Sequence, residues 1–174
     1  MGYRRGNMDD SDFPWKLIKI EEDICYMTTI YQLANAFLRL KPMTNKQLQK
    51  MCYYAKAWHL ALYDTNIIKE QFEAWAHGPV NRNLYNRYKD YGWSVIDAHK
   101  IYNGDPPTTE EARVYAEQIM AAYGHLDANE LEIVSHSELP WIEARGDKRP
   151  WESCTTVISE ESMKNFYRQR IQTN

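Results

Sequence analysis

The fold is decided by the longest amphipathic stretch of the chain, residues 45–63, which read NKQLQKMCYYAKAWHLALY. Apolar side chains recur in this stretch at intervals of three and four residues, the spacing of one face of an α-helix. Thr44 comes immediately before it and is a residue type that caps helix N-termini. A helix of this length with a continuous apolar stripe predicts a central helix against which the other elements pack.

Shorter helical patterns lie on both sides of this stretch. Pro42 ends the first of them, because a proline disfavours the helical conformation of the residue before it. Thr108 with Glu111, and Asp127 with Glu130, have the spacing of capping boxes. These signals predict helices at 28–40, 45–63, 79–91 (with Pro79 at the first helical position), 108–123, 127–137 and 159–169 (capped by Ser159), with a further turn or short helix at 139–145.

Two segments lack the helical period and contain β-forming residues, 67–76 and 94–101. The chain has 174 residues, of which 44% are hydrophobic and 26% charged. That is ordinary composition for one globular domain, and a chain of this length needs neither a disulfide nor a metal to fold. The prediction is a mainly α, compact helical domain of about six helices, with a small β-ribbon near 67–76 and 94–101.

The charge of the chain gives no general nucleic-acid signal, since the net charge is −3. Basic residues do cluster around the central helix. We expect them to form a solvated helix face, although a phosphate-contacting patch and a dock for an acidic partner are the alternatives. A helix-turn-helix is disfavoured, because the apolar stripe of 45–63 is needed for the core. The cluster comprises Arg39, Lys41, Lys46, Lys50 and Lys56.

The sequence also bears on compartment and cofactors. Cys25, Cys52 and Cys154 are scattered, which suggests reduced thiols in a cytoplasmic protein. The sequence shows no signal-peptide core and no run of about 18 apolar residues, so we predict no membrane association. It contains no zinc-ligand spacing, dinucleotide-binding motif, P-loop or GxSxG, so we predict no metal and no cofactor.

Histidine and arginine provide the one constellation with chemical potential. His59 lies beside Trp58 on the apolar helix face, and His136 precedes Trp141 and Arg145. These polar groups fit a buried network that stabilises the fold, or a pocket for an anionic group, since arginine binds carboxylates and phosphates. No nucleophile accompanies them, so we predict no catalytic residue and no enzyme. A clustered, accessible pocket would favour a prophage-encoded enzyme, and an enclosed set would favour a binding protein.

Tyrosine and tryptophan are unusually abundant, with 13 Tyr and 6 Trp residues. Large rings most often fill a core, which is the interpretation that we favour. The alternative is a binding face, because both residue types are enriched at the energetic centres of protein interfaces.

Three blocks, taken in order, resemble the Panacea domain, also described as the SocA-like antitoxin domain. The first is residues 48–63, LQKMCYYAKAWHLALY. The second is 72–80, FEAWAHGPV, with Tyr85 after it, and the third is 135–141, SHSELPW, followed by Ala144 and Arg145. The likeness covers about 27–170. We therefore divide the chain into an N-terminal extension, 1–26, and a Panacea-like helical domain, 27–174.

The resemblance implies an antitoxin that neutralises a cognate protein toxin by direct binding. Similar domains are paired with unrelated toxins in bacterial operons and prophages, and alarmone-synthetase-like toxins are among these partners. One family member acts as an adaptor that delivers its toxin to an ATP-dependent protease. DNA-binding autoregulation of the operon is a further alternative.

The resemblance also selects a set of motif residues. We expect them to hold the common fold, with toxin contacts elsewhere, because a scaffold shared by many partners must vary at its contact surface. They are Trp58, His59, Trp75, Gly78, Pro79, Tyr85, His136, Pro140, Trp141 and Arg145.

Overall fold

The centre of the molecule is helix α2 (Asn45–Tyr63), in a computed structural model that describes residues 28–100 and 104–172. The Thr44 side chain accepts a hydrogen bond from the Gln47 amide at 3.2 Å, so the predicted cap is confirmed. Neighbouring helices pack around α2 and bury nearly its whole length. The predicted solvated basic face is therefore wrong for Lys50 and Lys56, which are 1% and 0% exposed.

The surrounding helices confirm the mainly α prediction. The described residues contain seven α-helices, and α1 ends before Pro42 as expected. The predicted N-terminal extension, 1–26, lies outside the described residues. Besides α2, the helices are α1 (Ile30–Leu40), α3 (Arg82–Tyr88), α4 (Glu110–Tyr123), α5 (Ala128–His136), α6 (Leu139–Arg145) and α7 (Glu160–Gln172).

Besides the Thr44 cap of α2, the N-terminal caps of two further helices were predicted correctly, and the cap of a fourth was predicted one position off. Asp127 and Glu130 form the predicted capping box of α5, and the Ser159 hydroxyl accepts from the Ser162 amide at the start of α7. Helix α4, however, is capped by Thr109, not Thr108. Both threonines have suitable chemistry, and Thr109 is also held by the hydroxyl of Thr28 at 2.8 Å, a contact that local sequence cannot reveal.

Strands occur in both predicted β regions, but they belong to two separate antiparallel pairs. Strand β1 (Met43–Thr44) pairs with β4 (Val95–Ile96), and β2 (Glu73–Trp75) pairs with β3 (Gly78–Val80). The predicted helix start at Pro79 is therefore wrong. Pro79 lies in β3 opposite Ala74, and α3 begins at Arg82 with Asn81 as its N-cap. Pairing with β2 overrides the local preference of a Gly-Pro pair to open a helix.

Of the fifteen tyrosines and tryptophans in the described ranges, eight are buried in the core, which agrees with the interpretation favoured from the sequence. Tyr54 stacks on Tyr123 with ring centroids 4.1 Å apart, and the Trp58 indole donates to the Tyr123 hydroxyl at 2.9 Å. The hydroxyls of Tyr54 and Tyr167 donate to the buried carboxylate of Glu138 at 3.2 Å and 2.7 Å. Burial raises the pKa of Glu138 to about 7.

Over the described ranges, no helix combines the length with the apolar character that crossing a bilayer requires.

Candidate functional site

The β2–β3 hairpin lies at the centre of the motif residues, and Gly78 shows how closely it rests on the helices. Gly78 has a φ of +96°, a conformation that side chains rarely adopt. A Cβ atom there would lie 2.5 Å from Cε of Lys50 and 2.9 Å from Oγ of Ser135. Glycine is therefore required by both conformation and space where the hairpin crosses α2 and α5.

Three motif residues form an enclosed stack against this hairpin. The rings of His136 and Trp141 are stacked with centroids 4.0 Å apart, and Cζ of Arg145 lies 4.8 Å from the Trp141 ring centroid. The Trp141 indole donates to the carbonyl of Trp75 at 3.0 Å. Arg145 donates to the carbonyl of Ala74 at 2.8 Å. Trp141 and Arg145 are buried and His136 is half-buried. We call these three residues the enclosed stack.

The guanidinium of Arg145 is occupied by main-chain carbonyls. Besides Ala74, it donates to the carbonyls of Arg149, Pro150 and Glu152. Only 4% of Arg145 is exposed. These hydrogen bonds hold the segment that follows α6 against β2.

His59 lies apart from the enclosed stack. Its Nδ1 donates to the carbonyl of Thr65 at 2.7 Å, and its Nε2 lies 3.4 Å from a carboxylate oxygen of Glu111 on α4. Its ring packs against Tyr63 and Tyr115. The structure therefore does not bring His59, His136 and Arg145 into one accessible pocket.

The other motif residues divide between the interior and the surface. Trp58, Pro79 and Pro140 are buried. Trp75 is half-buried, and its ring centroid lies 4.9 Å from that of Tyr85, which is 36% exposed. These last two reach an open cleft beside the hairpin.

This cleft has a volume of about 440 Å³. It lies between the first half of α2, the hairpin and the segment that follows α3. Its size falls in the range of small-ligand sites. We call it the lysine–tryptophan cleft, after the characteristic members of its lining, Lys46, Lys50, Trp75, Tyr85, Lys89 and Trp93.

Two lysines of α2 lie in the inner part of the lysine–tryptophan cleft. Lys50 is buried and donates to the Pro79 carbonyl at 3.1 Å, and desolvation lowers its pKa to about 7. Lys46 forms an ion pair with Glu132 of α5. Nδ1 of His77 lies 3.2 Å from the same carboxylate. Glu132 thus contacts two basic neighbours directly, whereas it acts on Lys50 only through its electrostatic field.

Aromatic rings form the rim of the cleft. Trp93 is 78% exposed, an unusual state for so large an apolar side chain. Cζ of Arg82 lies 5.5 Å from the ring centroid of Trp75, and Arg82 is held by two hydrogen bonds to Glu73. A basic floor with an aromatic rim is suited to binding a partner, because it offers charge and apolar area together.

The sequence interpretation missed two rim residues, Lys89 and Trp93. Both lie outside the three motif blocks, after α3. A tryptophan directly after Gly92, where the helical pattern ends, was the available signal. Its exposure depends on how this segment packs beside α2, and local sequence does not encode that packing.

The ligand types that a metal ion requires are not gathered anywhere in the described ranges. Among residues 28–100 and 104–172, no group of three or more His, Cys, Asp or Glu side chains could hold a metal ion. The described thiols, Cys52 and Cys154, are both free and buried.

Comparison with known proteins identifies the family. The family model described as "Antitoxin SocA-like, Panacea domain" matches residues 48–142, more than half of the chain. The protein named Antitoxin SocA, from Caulobacter vibrioides, is 28% identical over 110 residues, which cover 58% of this chain and 58% of that relative. No solved structure matches the chain significantly. On the strength of the family-model match, the chain belongs to the SocA-like antitoxin family that carries the Panacea domain.

Proposed function

We propose that this protein is an antitoxin that neutralises a cognate protein toxin by binding it directly. The observation that carries the proposal is the Panacea domain match over residues 48–142. The match to Antitoxin SocA covers 58% of that protein's length, so it supports an antitoxin role in general and no particular toxin. The toxin itself is left open, with an alarmone-synthetase-like enzyme as one candidate class.

The arrangement of polar groups supports binding better than catalysis. His59 and Arg145 are occupied by separate sets of partners, and Arg145 is buried beneath main-chain carbonyls. The open lysine–tryptophan cleft instead presents aromatic side chains of the kind that dominate protein interfaces. Helix α2 is buried over nearly its whole length, so it is not available as a recognition helix for a DNA groove.

The motif residues are proposed to act as scaffold. Gly78, Trp141 and Arg145 make contacts that hold the hairpin on the helices, and such contacts keep the cleft in shape. The proposal also treats 27–174 as the antitoxin domain and 1–26 as an extension of it. We place its action in the cytoplasm, on the basis of the scattered cysteines.

The proposal is tested by growth in a heterologous bacterial host. The gene that neighbours this one is expressed alone from an inducible promoter, and then together with this protein. We expect growth arrest in the first case and restored growth in the second, with a stop codon early in the antitoxin gene as the control. A neighbouring gene that arrests growth in both cases would contradict the proposal.

The same strains separate occlusion from delivery to a protease. Toxin half-life is followed after translation is stopped, in cells with and without the host's ATP-dependent proteases. A half-life that shortens only when antitoxin and protease are both present would establish an adaptor role. An unchanged half-life with restored growth would establish neutralisation by binding alone.

A further inference from the structure

We propose that the lysine–tryptophan cleft recognises an acidic segment of the partner toxin, in which carboxylates flank an aromatic or apolar side chain. The inference rests on the proposed function, since it names the chemistry of the partner that the antitoxin would bind. It is carried by the charge of the cleft, its aromatic rim and its size.

The charge of the cleft is one-sided. Its lining contains Lys46, Lys50, Lys89 and His77, and among the described lining residues there is no carboxylate. Glu132 pairs with Lys46 from outside the lining. Lys50 donates to the Pro79 carbonyl, and the field of Glu132 favours its charged form, but desolvation outweighs both, so the cost of burying an ammonium group there is only partly compensated. A carboxylate brought by a partner would lower that cost.

The rim supplies the apolar part of the recognition. Trp93 is 78% exposed, and the tilted pair of Trp75 and Tyr85 faces the same cleft. Burial of an exposed tryptophan and a tyrosine removes a large apolar area from water, which is why these residues are common energetic centres of interfaces. The cleft volume of about 440 Å³ has room for a few side chains of an inserted segment.

A nucleic acid is the rival occupant, because basic and aromatic side chains together also bind single strands. The described structure favours the peptide. The basic side chains converge on one cleft beside the hairpin, whereas a single strand requires a basic track along its phosphates. The chain as a whole carries a net charge of −3, which repels a polyanion.

The test uses the full chain and three fluorescein-labelled probes of equal length. They are the peptides Glu-Glu-Trp-Glu-Glu and Gln-Gln-Trp-Gln-Gln and the oligonucleotide dT5, titrated by fluorescence anisotropy. We expect the acidic peptide to bind at least about tenfold more tightly than the glutamine peptide or dT5, and to weaken with added salt.

Exposed variants locate the binding. Trp93→Ala and Lys89→Glu are each expected to lower the affinity for the acidic peptide by about tenfold or more. Trp151→Ala and Lys148→Glu are matched controls, because Trp151 is 71% exposed and Lys148 is also at the surface. We expect them to leave the affinity unchanged. All four positions are exposed, so the variants are expected to fold, which circular dichroism checks.

A pH series adds a measurement that distinguishes specific recognition from non-specific adsorption of the peptide. The charged groups that act on Lys50 are Lys46 of α2 and Glu132 of α5. His136 of α5 is also near, with its pKa lowered by burial, and His77 of the hairpin lies 3.2 Å from Glu132. Because the free protein holds Lys50 partly uncharged above pH 7, binding a carboxylate there requires uptake of a proton. The affinity should therefore fall several-fold between about pH 7 and pH 9, and Lys50→Met should flatten that slope.

Several outcomes would overturn the inference. They are equal binding of the acidic and glutamine peptides, tighter binding of dT5, or equal losses in the control variants. The growth assay keeps this failure distinct from failure of the proposed function. If Trp93→Ala and Lys89→Glu restore growth as well as the wild type does, the cleft does not bind the toxin, but the antitoxin role stands. Wild-type protein that fails to restore growth removes the antitoxin role, while the titrations still decide the specificity of the cleft.

Discussion

Two tryptophan sites flank the β2–β3 hairpin, and they differ in almost every respect. Trp141 is 6% exposed, stacked on His136 and hydrogen-bonded to the hairpin. Trp93 is 78% exposed and stands at the rim of the lysine–tryptophan cleft. The first belongs to a family block and the second does not. From this difference we propose that motif residues hold the hairpin in place, whereas residues at the rim of the cleft contact a partner.

The largest expected effect comes from the enclosed site. Trp141→Ala removes a buried ring, its bond to the Trp75 carbonyl and the surface on which His136 and Arg145 pack. We expect a loss of about 3–5 kcal/mol in the free energy of unfolding. Urea denaturation measures it. An unchanged stability with lost toxin binding would contradict the scaffold role and place Trp141 in the interface.

Gly78→Ala probes the contact beneath the hairpin. The new Cβ would meet Lys50 and Ser135 at a φ of +96°, so we expect a loss of about 2–4 kcal/mol. Gly146→Ala is the matched control, because Gly146 also has positive φ but no atom lies within 4 Å of the added Cβ. It should cost about 1–2 kcal/mol, the conformational part alone. Equal losses would show that the hairpin does not press on α2 as described.

Glu138→Gln tests how a buried carboxyl group makes the stability of the fold depend on pH. Burial raises the pKa of Glu138 to about 7 from 4.5, so the folded state holds its proton more tightly than the unfolded state. The stability that protonated Glu138 gives the folded state is therefore fully present below about pH 4.5 and is lost as the pH rises through about 7. The variant should match the wild type at pH 5 and be more stable by roughly 1–3 kcal/mol at pH 8. Thermal unfolding across pH measures the difference.

The control for that experiment is Glu117→Gln, since the Glu117 side chain is 48% exposed. Its difference from the wild type should not change with pH over this window. The comparison between variants is needed because Lys50 acts in the opposite direction. Its lowered pKa makes the folded state gain stability as the pH rises from about 7 to 10.5. A constant gap between wild type and Glu138→Gln would contradict the assignment to Glu138.

The smallest effect on stability belongs to the open site. Trp93→Ala removes a ring that is mostly in water, so the free energy of unfolding should change by less than about 0.5 kcal/mol. The same variant should lose neutralisation in the growth assay. A large loss of stability would mean that Trp93 belongs to the scaffold, and the contrast between the two tryptophan sites would disappear.

Local signals accounted for much of the helical framework. The Thr44 cap, the end of α1 before Pro42 and the Asp127–Glu130 capping box depend on residues within a few positions of each other, and all were predicted correctly. The start of α3 was wrong because β3 pairs with β2 across a short turn. The burial of Lys50 was missed because the hairpin and α5 cover it from elsewhere in the chain.

The candidate site was predictable only in part. The sequence named Trp75 and Tyr85 as motif residues, and both reach the cleft. It linked His59 with His136 and Arg145, which the structure places against different elements. It passed over Lys89 and Trp93, because nothing within the segment reveals which of its side chains the fold leaves exposed.

What the sequence determined by itself was the family, the helical class and most helix boundaries, since periodicity, caps and motif order are short-range properties of the chain. What only the tertiary structure decided was which individual polar and aromatic side chains are buried, paired or exposed. Lys50 was enclosed, Arg145 was committed to carbonyls and Trp93 was left open. Burial and pairing depend on which distant segments meet, and those encounters set both the charge of the cleft and the surface that a partner can reach.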